Sequence, residues 1–551
     1  MEMTGKENGK KRITTPVCDF VRRYAASDTV RMHMPGHKGR GPLGCEALDI
    51  TEITGADALY EASGVIRESE ENAARLFGTK ATFYGTEGSS QMIRAMLYLA
   101  GQWARERTAK STEKYAVAGK EQRITILAAR NVHKSFVQAC ALLDYDAEWL
   151  YGEEESYLSC TIMPETLENA LKKAHKLPAA CFITSPDYLG KTADIRALAE
   201  VCHRFGVPLL VDNAHGAYLR FLTPSRHPMD LGADLCCDSA HKTLPVLTGG
   251  AYLHVAGDDR PAVSAEAGVF GIAGLTAEAD QAVAAPEAGS LRAEMTDFFA
   301  ENAKSALALF GSTSPSYLIL QSLDACNAYL AGESKSASEA GPNPAESFPE
   351  KLEKTVRMLD KMKQALREAG MPVMETEPLK LTLQVPGVEL GEKLLDNGIS
   401  YEFADPENLV LMPGPENTEE ELQRCLEVLL GLADDFRRRD TGYTQNNPQN
   451  NPQNDIQKIP KILPENSLQH AVGNDQRLPL AERVLSIREA VFAPHETIPV
   501  SQSIGRIAAS PTVSCPPAVP IVVSGERISA EAAAAFARYG IGTVEVVREA
   551  R

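Results

Sequence analysis

Between about residue 65 and residue 255, short apolar runs alternate with stretches whose apolar positions recur every three or four residues. Residues 124–128, 180–184, 207–211 and 251–255 are unbroken runs of the kind that form strands buried on both faces. Between them, 135–143, 164–176 and 194–205 read as helices, the last with Ile195, Leu198, Val201 and Cys202 on one face. This alternation predicts an α/β fold with a mostly parallel sheet covered on both sides. Ligands of such sheets bind beyond the carboxyl ends of the strands. Polar motifs do follow the strands: Arg130-Asn131-Val132-His133-Lys134-Ser135, Ser185-Pro186-Asp187-Tyr188 and Asp212-Asn213-Ala214-His215.

Further along, the pattern changes. Residues 256–292 are rich in Ala, Gly and acids, and 332–347 in Ser, Ala and Pro; both read as surface insertions or loops. A smaller α+β unit follows, with a strand at 380–385 and a helix at 418–432. The repeated Asn-Asn-Pro-Gln within 441–455 cannot bury apolar surface and predicts a flexible linker. The expected organisation is an N-terminal arm at 1–30, a cofactor-binding major domain at 31–330, a small α+β domain at 350–436, a linker at 441–465 and a C-terminal domain at 478–551.

A chain of 551 residues is too long for one core. Its formal charge of -18 and pI near 5.2 argue against nucleic acid or an anionic membrane as partner, and favour a cationic substrate. The 11 cysteines include no CxxC pair, and adjacent Cys236-Cys237 suit neither a disulfide nor a zinc knuckle, so reduced thiols are expected. Residues 1–12 show no signal-peptide pattern and no apolar run is long enough to span a bilayer, which predicts a cytoplasmic protein.

The chemistry centres on Lys242, in Asp238-Ser239-Ala240-His241-Lys242-Thr243-Leu244, and on Asp212, in Val211-Asp212-Asn213-Ala214-His215-Gly216. An aspartate ending a strand, followed by a Ser-x-His-Lys loop, suits a pyridoxal phosphate enzyme of the aspartate-aminotransferase-like fold. The lysine amine bonds the cofactor aldehyde, and the carboxylate keeps the pyridine nitrogen protonated so that the ring takes up electrons. Upstream, Tyr84-Gly85-Thr86-Glu87-Gly88-Ser89-Ser90 precedes a helix with Ile93, Met96, Leu97 and Ala100 on its apolar face. Hydroxyls and backbone N–H groups at such a helix start can hold a phosphate. His133 is placed to stack on a cofactor ring. Although His33, His37, His133, His215 and His241 are available, no HExxH or paired-Cys spacing links them, so no metal site is expected.

Five ordered motifs carry a resemblance: Met34-Pro35-Gly36-His37-Lys38-Gly39, Arg130–Ser135, Val211–Gly216, Ser239-Ala240-His241-Lys242-Thr243-Leu244-Pro245 and Ser312-Thr313-Ser314-Pro315-Ser316-Tyr317. Together they resemble the Orn/Lys/Arg decarboxylase family over about 15–435, in the short form without an N-terminal wing domain. The tail Cys515-Pro516-Pro517-Ala518-Val519-Pro520 with Gly525-Glu526 is similar to that family's C-terminal domain. The resemblance implies a fold-type-I major domain, pyridoxal 5′-phosphate as cofactor, and decarboxylation of arginine, lysine or ornithine to an amine and carbon dioxide, as in polyamine biosynthesis. Lys242 would be the Schiff-base lysine, Asp212 the partner of the pyridine nitrogen, and His133 and Ala214 the groups on the two ring faces. Gly88, Ser89, Ser90, His215, Ser239 and His241 would complete the cofactor site. Thr313 or Ser314 would reach the phosphate of a neighbouring subunit, implying a homodimer with shared sites that could assemble further. Glu402 and His37 would face the substrate, and Lys242 or His241 would return the proton to Cα.

Several positions depart from the family's pattern: Asn213 where Glu is usual, Glu87 for Asn, Gly249 for Gln, Ala56-Asp57 for an Asp pair, Ser514-Cys515 for Tyr-Pro and Ala518 for Gly. Several of them lie near the expected active-site mouth and bear on substrate identity. Another fold-type-I enzyme, an aminotransferase or lyase, would use the same Lys–Asp pair; a non-catalytic regulator would not need the amine.

Overall fold

The computed structural model describes residues 12–110, 123–152, 156–257, 285–332, 346–442, 481–511 and 517–549. Its centre is a seven-stranded sheet made of β1 (Ala81–Gly85), β2 (Thr125–Ala129), β3 (Asp146–Leu150), β4 (Ala180–Thr184), β5 (Leu209–Asp212), β6 (Leu235–Asp238) and β7 (Ala251–Val255), in the order β1-β7-β6-β5-β4-β2-β3. Strands β3, β2, β4, β5 and β6 run parallel, while β7 is antiparallel to both of its neighbours. The α/β architecture is therefore the expected one.

Alternation along each strand sorts the core into two layers. Ile126, Ala128, Phe182, Leu210 and Leu235 pack on one face with the helices Gly88–Lys110, Lys134–Leu143 and Ala285–Phe310. Leu127, Ala129, Cys181, Ile183, Leu209 and Val211 pack on the other with Pro164–Lys173 and Ile195–Arg204. Phe136 and Phe182 meet with ring centroids 4.9 Å apart. Each such ring removed from water contributes about 1.5–3 kcal/mol. By the same alternation Thr184 and Asp212, register partners at the ends of β4 and β5, share the face of Phe182 and Leu210. That face is the one on which the helices beginning at Gly88 and Lys134 lie.

Two smaller sheets complete the described chain. β8 (Leu381–Leu383), β9 (Phe403–Ala404) and β10 (Leu409–Leu411) form an antiparallel sheet in the order β8-β10-β9, covered by the helices Phe348–Glu368, Gly387–Asp396 and Glu419–Gly442. β11 (His495–Pro499) pairs antiparallel with β12 (Thr543–Val547). From the C-terminal segment, Ile498, Val519 and Ile521 pack on Tyr157, Tyr188 and Leu189, and Ile487 and Val523 join the core beside helix Lys134–Leu143.

One expectation is corrected. The Ala-rich stretch 256–292 was read as loop, yet 285–292 open the long helix Ala285–Phe310. Alanine has the highest helix propensity, so its abundance there favours helix over loop. Residues 258–284, 333–345 and 443–480, which hold the rest of the expected insertions and the linker, lie outside the described residues, as do Ser514, Cys515 and Pro516.

Asp234, fully buried before β6, ties this helix to the sheet. It accepts from Arg292 Nε at 2.8 Å, His203 Nε2 at 3.0 Å and the Leu209 backbone N–H at 2.9 Å. Burial alone would raise its pKa, but His203 and Arg292 outweigh burial and hold it down at about 2. A depressed carboxylate stabilises the fold fully above its unfolded pKa of 3.8 and loses that contribution as pH falls towards its folded value. Urea unfolding should therefore show about 2 kcal/mol lost between pH 4 and pH 2 from this group. Asp234→Asn should be less stable at neutral pH and show a flatter acid slope; an unchanged slope would refute the assignment.

Candidate active site

The ends of β4, β5 and β6, the helix starts at Gly88 and Lys134, and the loop after β6 meet at one edge of the sheet. Asp212 closes β5 and is 3% exposed. Its Oδ1 accepts from the Ala214 backbone N–H at 3.1 Å and lies 3.6 Å from Cys237 Sγ. Burial raises its pKa, while the nearby Lys242 charge pulls it down. Lys242 sits on the single helical turn Ala240–Thr243, which begins two residues after β6 ends at Asp238. Its Nζ is 3.0 Å from His215 Nε2. The Lys242 side chain is exposed to a cavity of about 340 Å³; the protein packed round it lowers its pKa, and the charges of Asp212 and Glu402 oppose that shift. The same cavity is lined by Glu377, Glu416 and Glu421.

His133 caps helix Lys134–Leu143, accepting the Ser135 backbone N–H at Nδ1. Ser135 Oγ lies 2.9 Å from that nitrogen and donates to Ser90 Oγ at 2.8 Å, joining the histidine to the Gly88 helix start. Burial, reinforced by Lys242, lowers the His133 pKa to about 3, so the ring is neutral. His241 donates from Nδ1 to the Gly250 carbonyl at 3.0 Å, and its ring lies against Gly88. Gly88 N–H in turn donates to the Gly249 carbonyl at 2.8 Å. Ser239 and Ala214 are buried beside these groups in sequence, and Ser89 and Ser90 are half-buried in the first turn.

Other expected residues lie apart within a single chain. Thr313 and Ser314 are exposed; their loop is tied to its own chain where the Ser312 backbone N–H donates to Glu87 at 2.6 Å. His37 bonds Asp49 at 3.1 Å and the Gly39 N–H. Glu402 accepts from Tyr188 OH at 2.8 Å and reaches the site through that ring.

The described donor set fits pyridoxal phosphate, whose aldehyde, pyridine nitrogen and phosphate need an amine, a carboxylate and an anion cradle. Buried polar atoms point the same way: the Thr184 hydroxyl, beside Asp212 in register, and both side-chain atoms of Asn131 have no hydrogen-bond partner among the described residues. Such groups are rare in a finished interior and suit a polar ligand.

Residues 15–405 match the Orn/Lys/Arg decarboxylase major domain, and residues 476–540 that family's C-terminal domain. The chain belongs to the Orn/Lys/Arg decarboxylase family. It is a pyridoxal phosphate-dependent decarboxylase, and the sequence's remaining alternatives, aminotransferase and silent regulator, give way to that. Arginine decarboxylase of Bacillus subtilis is 26% identical over 94% of this chain and 92% of its own length. Arginine decarboxylase of Halalkalibacterium halodurans is 25% identical over 94% and 91%. Among solved structures, the lysine decarboxylase LdcF of Francisella novicida superposes with a TM-score of 0.67 at 17% identity, covering 97% of this chain and 81% of that one, a likeness of fold.

Sequence reasoning missed three contributors. Ser135 and Tyr188 stand inside motifs singled out for other members, and Lys380 opens an apolar strand where a lysine is itself the signal. Gly249, a departure from the family's pattern, has a local cause: its φ is +100°, and a Cβ there would lie 2.6 Å from the Thr86 carbonyl oxygen. Gly249→Ala should displace the Thr86–Gly88 turn, costing about 1–3 kcal/mol and weakening cofactor affinity roughly tenfold or more. Equilibrium titration with pyridoxal phosphate checks this, and wild-type affinity would contradict it.

Proposed function

We propose that this enzyme decarboxylates a basic amino acid, with arginine the first candidate, in the cytoplasm as a homodimer serving polyamine synthesis. The observation that carries the reading is the grouping of Lys242 with Asp212, His215 and His133, beside a cavity that Lys242 lines together with Glu377, Glu416 and Glu421. Three carboxylates favour a cationic side chain over an acidic or apolar one. Arginine comes first because the relatives that span more than nine-tenths of this chain include several named arginine decarboxylase. That all ten described cysteines are free supports a reducing compartment, and no helix among the described residues is long and apolar enough to cross a membrane.

Bound pyridoxal phosphate supplies an aldehyde and a pyridinium ring that accepts the electron pair of the breaking Cα–carboxylate bond. Lys242 provides the amine that anchors it and is displaced by substrate. Asp212 would hold a protonated pyridine nitrogen and so favour the developing electron pair over the ground state. His133, held neutral by burial, and Ala214 would flank the ring without adding like charge. Ser89, Ser90, Ser239 and His241 would hold the phosphate at the Gly88 helix start, with His215 beside the Lys242 amine. Glu402 faces the substrate's distal cation. As carbon dioxide leaves, Lys242 or His241 returns one proton to Cα.

The dimer reading draws support from the N-terminal segment, where Val30, Met32, Met34 and Leu43 are 77%, 88%, 71% and 82% exposed. An apolar run of this kind seeks a partner surface. His37 lies within it, and a second copy would bring His37 and Thr313 or Ser314 to its neighbour's site.

Carbon dioxide release from carboxyl-labelled arginine, lysine and ornithine, assayed in parallel, tests the substrate: arginine should lead, and release from none would overturn the reading. Lys242→Ala should fold yet release nothing. Mixing that variant with one altered at Thr313 and Ser314 should restore roughly a quarter of wild-type activity, because random re-pairing gives mixed dimers half the time, each with one intact site. No recovery after demonstrated subunit exchange would assign the loop to its own subunit.

A further inference from the structure

Lys380 is fully buried at the entry to β8, where Leu381 and Leu383 face the apolar core and Lys380 and Thr382 face the Tyr188–Leu189 turn. A lysine with no access to water persists only where its surroundings accept its protons. Its Nζ donates to the Tyr188 carbonyl at 3.2 Å and lies 5.5 Å from the centre of the Tyr188 ring. Both contacts suit an ammonium, the first as acceptor and the second through cation–π attraction. The third contact is His215 Nδ1, also at 3.2 Å. On its far side, His215 Nε2 lies 3.0 Å from Lys242 Nζ. Two amines thus sit at opposite ends of one buried imidazole.

The proton count of this chain is constrained. Burial pushes the His215 pKa well down, and the two lysines push it further, so the ring is neutral and carries a single N–H. An ammonium at Lys380 takes Nδ1 as its acceptor, which leaves that one proton on Nε2, aimed at Lys242. An amine can accept it only through a free lone pair, so the arrangement is satisfied when Lys242 is unprotonated. Burial lowers the Lys380 pKa and the Lys242 charge adds to that; Glu377, Asp187 and Glu402 face it and oppose the shift, favouring the ammonium that its acceptors suit. The groups facing Lys242 are Asp212, Glu402 and Cys237, which favour a charged amine against burial.

We propose that Lys380, acting through the fixed tautomer of His215, is a positioning residue that holds the Lys242 amine unprotonated and ready to attack a carbonyl. The proposal rests on the reading of Lys242 as the cofactor anchor. It assigns Lys380 no contact with substrate or cofactor; its effect travels through one imidazole.

The test follows pyridoxal phosphate capture by absorbance from neutral to alkaline pH, using the full-length chain freed of cofactor and checked by circular dichroism against the loaded protein. Lys380→Met removes the cation and frees the tautomer, so the pH midpoint of capture should rise by about one unit, making capture roughly tenfold slower at neutral pH. Capture at high pH should match wild type, which a general loss of structure would not allow. His215→Gln, which keeps a polar bridge without a fixed tautomer, should move the midpoint the same way and serves if Lys380→Met fails to fold. Profiles that superimpose on wild type in the folded variants would overturn the relay. A Lys242→Ala protein that captures cofactor like wild type would instead overturn the anchor reading.

Discussion

Asp238 ends β6 with no access to water, and its carboxylate is the fixed point from which the active-site loop departs. Oδ2 accepts from His227 Nε2 and His254 Nε2, both at 3.0 Å, and Oδ1 accepts from Asn213 Nδ2 at 2.7 Å. Burial opposes ionisation, but the two imidazoles outweigh it and hold the pKa well below the carboxylate range. The other nitrogen of each ring is engaged, His227 Nδ1 by the Met229 N–H and His254 Nδ1 by Thr82 Oγ1. These hydrogen bonds account for the His227, Asp238 and His254 cluster without a metal ion. They also lock β7 and the turn after β5 to the strand end from which Lys242 follows four residues later. Asn213 makes sense in this setting: a neutral amide can donate to an ionised Asp238, where the glutamate usual in the family would set like charges side by side.

Around that fixed point the cleft keeps its positive charge selective. His133 and His215 are both neutral because burial and neighbouring lysines disfavour a second cation. Asp212 and Glu402 face Lys242 and favour its charged form against burial. The C-terminal segment secures one wall. Arg130, directly before the His133 loop, is 4% exposed and bonds Glu526 Oε2 at 3.2 Å, with the carbonyls of Pro520 and Ile521 at 2.9 and 3.1 Å. The Lys134 N–H donates to the Ala518 carbonyl at 2.8 Å, and Ala518 has a φ of +60°, a conformation in which glycine, usual there in the family, is at less cost. A buried ion pair with so many satisfied donors fixes geometry more than it adds stability.

Much of this was legible in local pattern. Unbroken apolar runs located β2, β4, β5 and β7, and the Ile195, Leu198, Val201 and Cys202 stripe located a helix that buries all four. β3 escaped because Asp146, Glu148 and Trp149 give an edge strand a half-exposed, mixed pattern. Lys242 and Asp212 stood out because two adjoining motifs carry them, and the structure brings them close together. Lys380 and Tyr188 were not, because their meeting with His215 depends on how β8 docks against the turn after β4, and no periodicity encodes that contact. Loops such as 312–314 showed their type but not whose site they serve.

Reduction of the cofactor-loaded protein with borohydride, followed by peptide mass mapping, tests the central claim most directly, since it fixes the cofactor to whichever amine holds it. A single pyridoxyl mass addition on the peptide carrying Lys242 is the predicted result. An adduct on Lys380 or on a surface lysine, with the Lys242 peptide unmodified, would contradict the account.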